Sequence, residues 1–290
     1  MLAGILLGLG ASASWALANV AVQRAGRAVG ALPGLFWAQI VGIALVALGV
    51  AAEGGRAPTV TGADGAWIAV AGIAALGGYF FLFYAFEHGR LTLAVPIMSS
   101  WAVLASALSL VLFHERLTAG QMVGAAAVIG GAVTVARHAQ AADGRGANAR
   151  AAGAKPWLPA AVGAAICFGI LIPTMRRLSP VFGPIGTIGV VYLADLLLAL
   201  PLAIAFRFPI ALPRRGTWIP IFLAGLFETA GNACITLGSR HAPVAIVAPL
   251  ASLASAFTVL YAWAILRERP ARGVLVGAAL VSAGVVVLAL

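Results

Sequence analysis

Ten apolar stretches of about 20 residues follow one another along the chain, each nearly free of charge and long enough to cross a hydrocarbon core of about 30 Å. They fall at 2–23, 31–51, 66–87, 92–112 and 118–136, then at 157–175, 184–206, 217–238, 243–265 and 271–290. Hydrophobic types make up 62% of the 290 residues and charged types 9%. An ordinary soluble domain needs roughly a quarter charged residues to coat its surface, so a soluble fold is excluded. The pattern predicts an all-α polytopic membrane protein. The first stretch has no basic residue before Arg24 and reads as a retained transmembrane helix, not a cleaved leader.

The net charge is +10, from 18 basic against 8 acidic side chains. The arginines stand singly or in pairs on short loops, and Lys155 is the one lysine. No continuous basic face results, so the charge suits an anionic lipid leaflet and not nucleic acid. Cys167 and Cys234 both fall inside apolar stretches and read as small buried residues, not as a disulfide or metal site.

The longest connection, 138–156, is polar and Ala/Gly-rich, reads as a flexible linker, and divides the chain into equal halves. Residues 1–137 slide onto 154–290 at one offset of 153 positions. His88, Pro96, Ser99, Glu115, Arg116, Gly120, Gly124 and Gly131 then fall on His241, Pro249, Ser252, Glu268, Arg269, Gly273, Gly277 and Gly284. Between 88 and 137 there are 14 identities in 50 positions, and the paired Pro, His and Glu-Arg are not explained by low complexity. Each half carries five spans. Five is odd, so the second half enters the membrane upside down. The expected fold is ten transmembrane helices in two inverted five-helix repeats, at 1–137 and 157–290, an architecture that gives two similar-energy packings open to opposite sides.

The stretch from His88-Gly89-Arg90 to Pro96, with His114-Glu115-Arg116 and Gly120 to Gly124, resembles the end of the repeat of the EamA family, within the drug/metabolite transporter superfamily. The second copy, from Arg240-His241-Ala242-Pro243 to Pro249 with Arg267-Glu268-Arg269-Pro270 and Gly273 to Gly277, is similar and fits better. The resemblance implies a transporter in the cell membrane. It implies export of amino acids, other metabolites or drugs, usually by proton exchange, with helices 1–4 and 6–9 around a central cavity. It also implies cytoplasmic termini, whereas the basic residues place them outside: 13 lie in loops after odd-numbered spans and 5 after even-numbered ones.

Two carboxylates, Asp195 and Glu228, lie near the centres of spans 7 and 8, with no Lys or Arg at comparable depth in any span. A bare charge there is costly, so each acid is expected to be protonated at rest and to release its proton when a cation or water arrives. The alternative is a protonated acid that serves packing alone. Asn232 follows Glu228 by four residues and shares its helix face, with Thr229 beside them; Tyr192 precedes Asp195 by three and is placed to bond it. The equivalent positions of the first half are Ala75 and Gly42, so the site is not a two-fold duplicate.

The first half offers uncharged groups: Trp15 and Asn19 in span 1, Gln39 in span 2, Tyr79 and Tyr84 in span 3, Ser99, Ser100 and Trp101 in span 4. The amides either line a cavity or bond helix to helix, and the tryptophans either stack on a planar or cationic substrate or pack. Glu87, His88 and His241 sit at span ends, where solvation or a carbonyl bond is the plain reading. Trp67, Trp157 and Trp218 begin spans and read as interface anchors. Pro96 and Pro249 interrupt spans 4 and 9 at equivalent places, as gate hinges or as static kinks. The Gly120/Gly124 and Gly273/Gly277 pairs permit close helix approach, within the chain or in a homodimer. No nucleophile–base set, phosphate loop or metal cluster is present, so no enzyme activity and no cofactor are expected. The expected partners are a small-molecule substrate, protons and membrane lipids. The competing expectations are a proton-coupled exporter of a small metabolite such as an amino acid, an exporter of cationic or aromatic drugs, and a non-transporting membrane scaffold.

Overall fold

The structure, a computed structural model, describes residues 2–52, 59–113, 118–143, 156–205, 212–267 and 272–289. Among these residues the fold is entirely helical, with no strand. The first half holds α1 (Leu2–Val29), α2 (Ala31–Ala52), α3 (Gly62–His88), α4 (Leu91–Met98), α5 (Trp101–Phe113) and α6 (Ala119–Asp143). The second holds α7 (Trp157–Ala205), α8 (Trp218–His241), α9 (Val244–Ser252), α10 (Ala254–Leu266) and α11 (Arg272–Ala289). Helix α6 runs six residues into the stretch expected as linker, and 144–155 lies outside the described residues.

Seven helical stretches among the described residues are long and apolar enough to cross a membrane. One of them, α7, has 49 residues, about 74 Å at 1.5 Å per residue, twice what one crossing needs. It is two helices joined at Gly183, whose φ of 72° lies in the left-handed region that glycine enters without penalty. Gly30, with φ 90°, makes the matching turn between α1 and α2. At the start of α3, Thr61 and Asp64 form a reciprocal capping box, the Thr61 hydroxyl accepting from the Asp64 N–H and the carboxylate from the Thr61 N–H.

The expected fourth and ninth spans are each broken once. The first break, at Ser99–Ser100, separates α4 from α5, three residues after Pro96; the second, at Leu253, separates α9 from α10, four residues after Pro249. Tighter three-residue bonds carry the chain across both, Ser100 N–H to Ile97 C=O at 3.2 Å and Leu253 N–H to Leu250 C=O at 3.2 Å. The two proline positions thus sit on the same side of equivalent breaks, within one turn before each.

The outside of the bundle is apolar: Leu48, Val111, Leu197 and Ile204 are each at least 70% exposed. Exposed side chains of this kind on many helices suit a lipid solvent. The interior is built from small residues, with Ala11, Ala16, Ala75, Ala102, Ala161 and Ala224 at zero exposure. Close approach of backbones, not bulky side chains, therefore holds the helices together.

The closest approaches come in pairs. A Cβ on Gly131 of α6 would lie 2.7 Å from Gly277 O and Val281 N of α11, and one on Gly284 would lie 2.7 Å from Gly124 O and Val128 N. Adding 153 to 124, 128 and 131 gives 277, 281 and 284, so the contacts exchange between the halves as in an isologous interface. The same exchange holds inside: Trp15 of α1 lies over Gly231 of α8, and Phe168 of α7 lies over Gly78 of α3. The halves are related by a pseudo-two-fold axis. Gly124 and Gly277 are consumed by this seam within the chain, while Gly120 has only Thr118 nearby and Gly273 is half-buried.

Candidate functional site at the pseudo-two-fold axis

A cavity of about 60 Å³ lies among α1, α3, α4, α5, α7, α8, α9 and α10. That is room for about two waters at roughly 30 Å³ each. It contains both members of five repeat-related pairs: Trp15 and Phe168, Asn19 and Ile172, Tyr79 and Asn232, Ser99 and Ser252, Trp101 and Ala254. Such a cavity must straddle the axis.

Seven of the expected site residues line it: Trp15, Asn19, Tyr79, Ser99, Trp101, Glu228 and Asn232. Helix α8 supplies Glu228 and Asn232 from one face, as their spacing of four requires. The Asn232 amide nitrogen donates to the Tyr79 hydroxyl at 2.8 Å and to the Tyr192 hydroxyl at 2.9 Å. With both phenol oxygens accepting from Asn232, their O–H groups are free to point onward. The Tyr79 hydroxyl approaches the Glu228 carboxyl without a formed hydrogen bond, and the Tyr192 hydroxyl lies 3.4 Å from Thr229 Oγ1. The Trp15 indole N–H also approaches the Glu228 carboxyl but stops short of a formed hydrogen bond. Glu228 keeps accessible surface, whereas Asp195 is 1% exposed.

The wall opposite α8 is aromatic. Trp15 and Trp101 meet edge to face at 6.0 Å, and Tyr79 meets Phe168 the same way at 5.2 Å. The Asn19 amide donates to Thr258 Oγ1 of α10 at 3.0 Å, so this residue both lines the cavity and ties two helices. Ser99 lies at the helix break and returns its hydroxyl to the Val95 carbonyl at 3.0 Å.

Gln39, Asp195 and Tyr192 stand beside the cavity. The Gln39 amide nitrogen donates to Asp195 Oδ2 across α2 and α7. Tyr192, expected to bond Asp195, turns to α8 instead. Gly42 explains this: a Cβ there would meet the Tyr192 ring at 2.7 Å, so glycine leaves the seat that the ring occupies. Sequence reading missed Phe168, Ile172 and Ala254, which face Trp15, Asn19 and Trp101 across the axis; the 153-residue offset applied to each of those three positions would have found them.

The helix-end residues have plain roles. Glu87 Oε2 accepts from the Ala31 N–H at 2.7 Å and caps the start of α2. His88 shares a 3.0 Å bond with the Tyr84 carbonyl and stacks on the Tyr84 ring at 4.2 Å. Trp157 is no interface anchor: it is 4% exposed and packs on Gly89. Both cysteines are free, and no group of three potential metal ligands occurs among the described residues. His114, Glu115, Arg116, Glu268 and Arg269 lie outside the described residues.

The family model of the EamA-like transporter family matches twice, at 2–137 and 155–290. The two matches begin 153 positions apart, the offset at which the contacts exchange. One crystal structure of a protein is similar in fold, with a TM-score of 0.71 and 22% identity, covering 98% of this chain and 95% of that chain. No curated protein matches the chain.

Proposed function

The chain belongs to the EamA-like transporter family, and from that premise we propose that it is a proton-coupled exporter of a small metabolite such as an amino acid. The observation that carries this reading is Glu228: an acid that keeps accessible surface deep in the bundle, in a cavity straddling the axis between two repeats. A site on that axis is approached equally from both ends when the repeats exchange conformations, which is what alternating access requires. In this reading the chain makes ten crossings of the cell membrane, with α7 counted twice and each broken span once, as inverted repeats 1–137 and 157–290.

A proton on Glu228 and an ammonium group in the cavity compete for one carboxylate. Binding of either displaces the other, and this exclusion is the coupling. Asn232 fixes the Tyr79 and Tyr192 phenols, and the Tyr79 O–H beside Glu228 is the donor left for the acid or for a substrate carboxylate or carbonyl. Pro96 and Pro249 serve as hinges, since the break that follows each lets half a span swing. The paired Trp15 and Trp101 favour a second reading, export of aromatic or cationic compounds, because both rings border the same cavity as the acid.

Proteoliposomes holding a trapped pH dye test both readings. Amino acids, amines and nucleosides are added to wild type and to Glu228→Gln. A substrate-dependent proton flux in wild type that is absent from the variant supports the assignment, and the compound that elicits it separates the two readings. A flux unchanged in Glu228→Gln refutes it. A scaffold would show no flux with any compound and would tolerate the substitution.

A further inference from the structure

We propose that Asp195 is a second proton-binding site, sealed from the cavity, and that the Gln39 side-chain amide transmits its protonation state to Glu228 by turning over. The proposal rests on Glu228 being the proton-binding acid of the cavity.

Asp195 and Gln39 face a small apolar cavity of about 10 Å³, with Leu32, Leu35 and Phe36 among its walls and no other charged group. Gln39 also lines a second cavity of about 10 Å³, shared with Tyr79, Tyr192 and Glu228. Of the two side chains that line both cavities, Leu35 and Gln39, only the Gln39 amide is polar. Of the helices packed on α7, α3 brings Tyr79 towards Asp195 and α8 brings Glu228, while α7 itself adds Tyr192. Helices α2, α4, α5 and α9 carry no titratable side chain. No cation therefore fixes the charge of Asp195 from these helices.

Repeat symmetry argues that the pair is more than packing. Gln39 and Tyr192 are equivalent positions, as are Gly42 and Asp195. One seam places a tyrosine over a glycine, and the other places an acid against an amide. The first seam packs without a carboxylate, so packing at this position does not call for one.

An amide has one acceptor and one donor end, and an acid needs a different end in each protonation state. Ionised Asp195 accepts from the Gln39 nitrogen, the arrangement observed. Protonated Asp195 has an O–H to give, and the matching partner is the Gln39 carbonyl oxygen. Turning the amide over exchanges the atoms presented to the second cavity, replacing the oxygen by the nitrogen. An N–H there stabilises ionised Glu228. A proton taken up by Asp195 thus favours loss of the proton on Glu228, with the displaced proton leaving through the cavity.

Infrared difference spectra of the full chain in lipid bilayers, taken through a pH series without substrate, read protonated carboxyl groups directly. Asp195→Asn and Glu228→Gln assign the two bands. We expect both bands to titrate, and Asp195→Asn to move the Glu228 midpoint by about one pH unit, tenfold in proton affinity. In a Gln39→Leu background the same substitution is expected to leave that midpoint unmoved. An equal shift in both backgrounds means direct electrostatics and overturns the relay. An Asp195 band that never titrates beside a Glu228 band that does overturns this proposal alone. A Glu228 band that never titrates overturns the reading of the cavity and the coupling with it. Should Asp195→Asn fail to fold, Gln39→Leu alone decides: unchanged midpoints for both acids sink the relay.

Discussion

Asn232 donates to the Tyr79 hydroxyl at 2.8 Å, and the two residues occupy the same position of the two repeats. A bond between equivalent positions has to cross the axis that relates them. The bond joins unlike side chains, an amide donor and a phenol acceptor, so the repeats have diverged at the axis.

Replacing Asn232 by Leu removes the donor to two buried phenol oxygens at once. An ordinary buried bond contributes about 0.5–1.5 kcal/mol, and Asn232→Leu loses two such bonds where Tyr79→Phe loses one of them. Asn232→Leu is therefore expected to lower the thermal midpoint in detergent clearly more than Tyr79→Phe does. Equal midpoints for the two variants would mean that the axis bond contributes nothing beyond shape.

The α6–α11 seam offers a contrast between neighbours. A Cβ on Gly131 meets backbone atoms of α11 at 2.7 Å, whereas one on Gly130 meets nothing within 4 Å. Gly131→Ala must push the helices apart and is expected to cost about 1–3 kcal/mol, the usual penalty of overpacking. Gly130→Ala is expected to be neutral or slightly stabilising. Thermal unfolding of both variants in one detergent checks the difference.

Much of this was legible in the sequence, for a physical reason. Spans announce themselves because a bilayer core tolerates few charges, and Pro96 and Pro249 each fall within one turn of a break. Glu228 and Asn232 were paired by helical periodicity alone. What was not legible depended on the partner helix. Tyr192 stands three residues from Asp195, yet the room that Gly42 leaves on α2 turns it towards α8. Trp157 begins a span as an interface anchor would, yet Gly89 opens a seat that buries it. Phe168 carries no polar atom to mark it as a site residue, and only its repeat mate Trp15 points to its place on the cavity.

The floor of the cavity rests on two glycines. Trp15 lies against Gly231, and a Cβ on Gly78 would meet the Phe168 ring at 2.8 Å. Alanine at either position drives an aromatic ring into about 60 Å³ of free space. Gly231→Ala is expected to weaken substrate-dependent proton flux more than tenfold, or about 1.4 kcal/mol, with little loss of thermal stability. Gly231→Ala with wild-type flux would show that the ring finds another place.

The two ends of the molecule are fastened differently. At one end the Arg27 guanidinium donates to the Gly89 carbonyl at 3.0 Å, Gln23 donates to the same oxygen at 3.4 Å, and Glu87 holds the Ala31 N–H. The repeat equivalents of Arg27 and Ala31 are Pro180 and Pro184, and that of Glu87 is Arg240. Proline has no N–H and arginine accepts nothing, so the other end cannot form the same latch. There Gly4 and Gly8 of α1 pack closely on Ala242 and Leu250, with apolar contact in place of polar bonds. In the alternating-access reading proposed above, the two ends act as unequal gates, and the polar end is expected to be the one kept shut. Glu87→Gln keeps an acceptor but loses the charge at the N-terminus of α2, worth about 0.3–1 kcal/mol. Glu87→Ala loses the bond as well. Leu32→Cys, at a half-buried position of that end in a background without Cys167 and Cys234, reports its opening through the rate of alkylation by a water-soluble maleimide. The rate is expected to rise from wild type to Glu87→Gln to Glu87→Ala, by up to about tenfold if 1.4 kcal/mol of bias is lost. Identical rates in all three would show that the latch does not set the balance between the two openings.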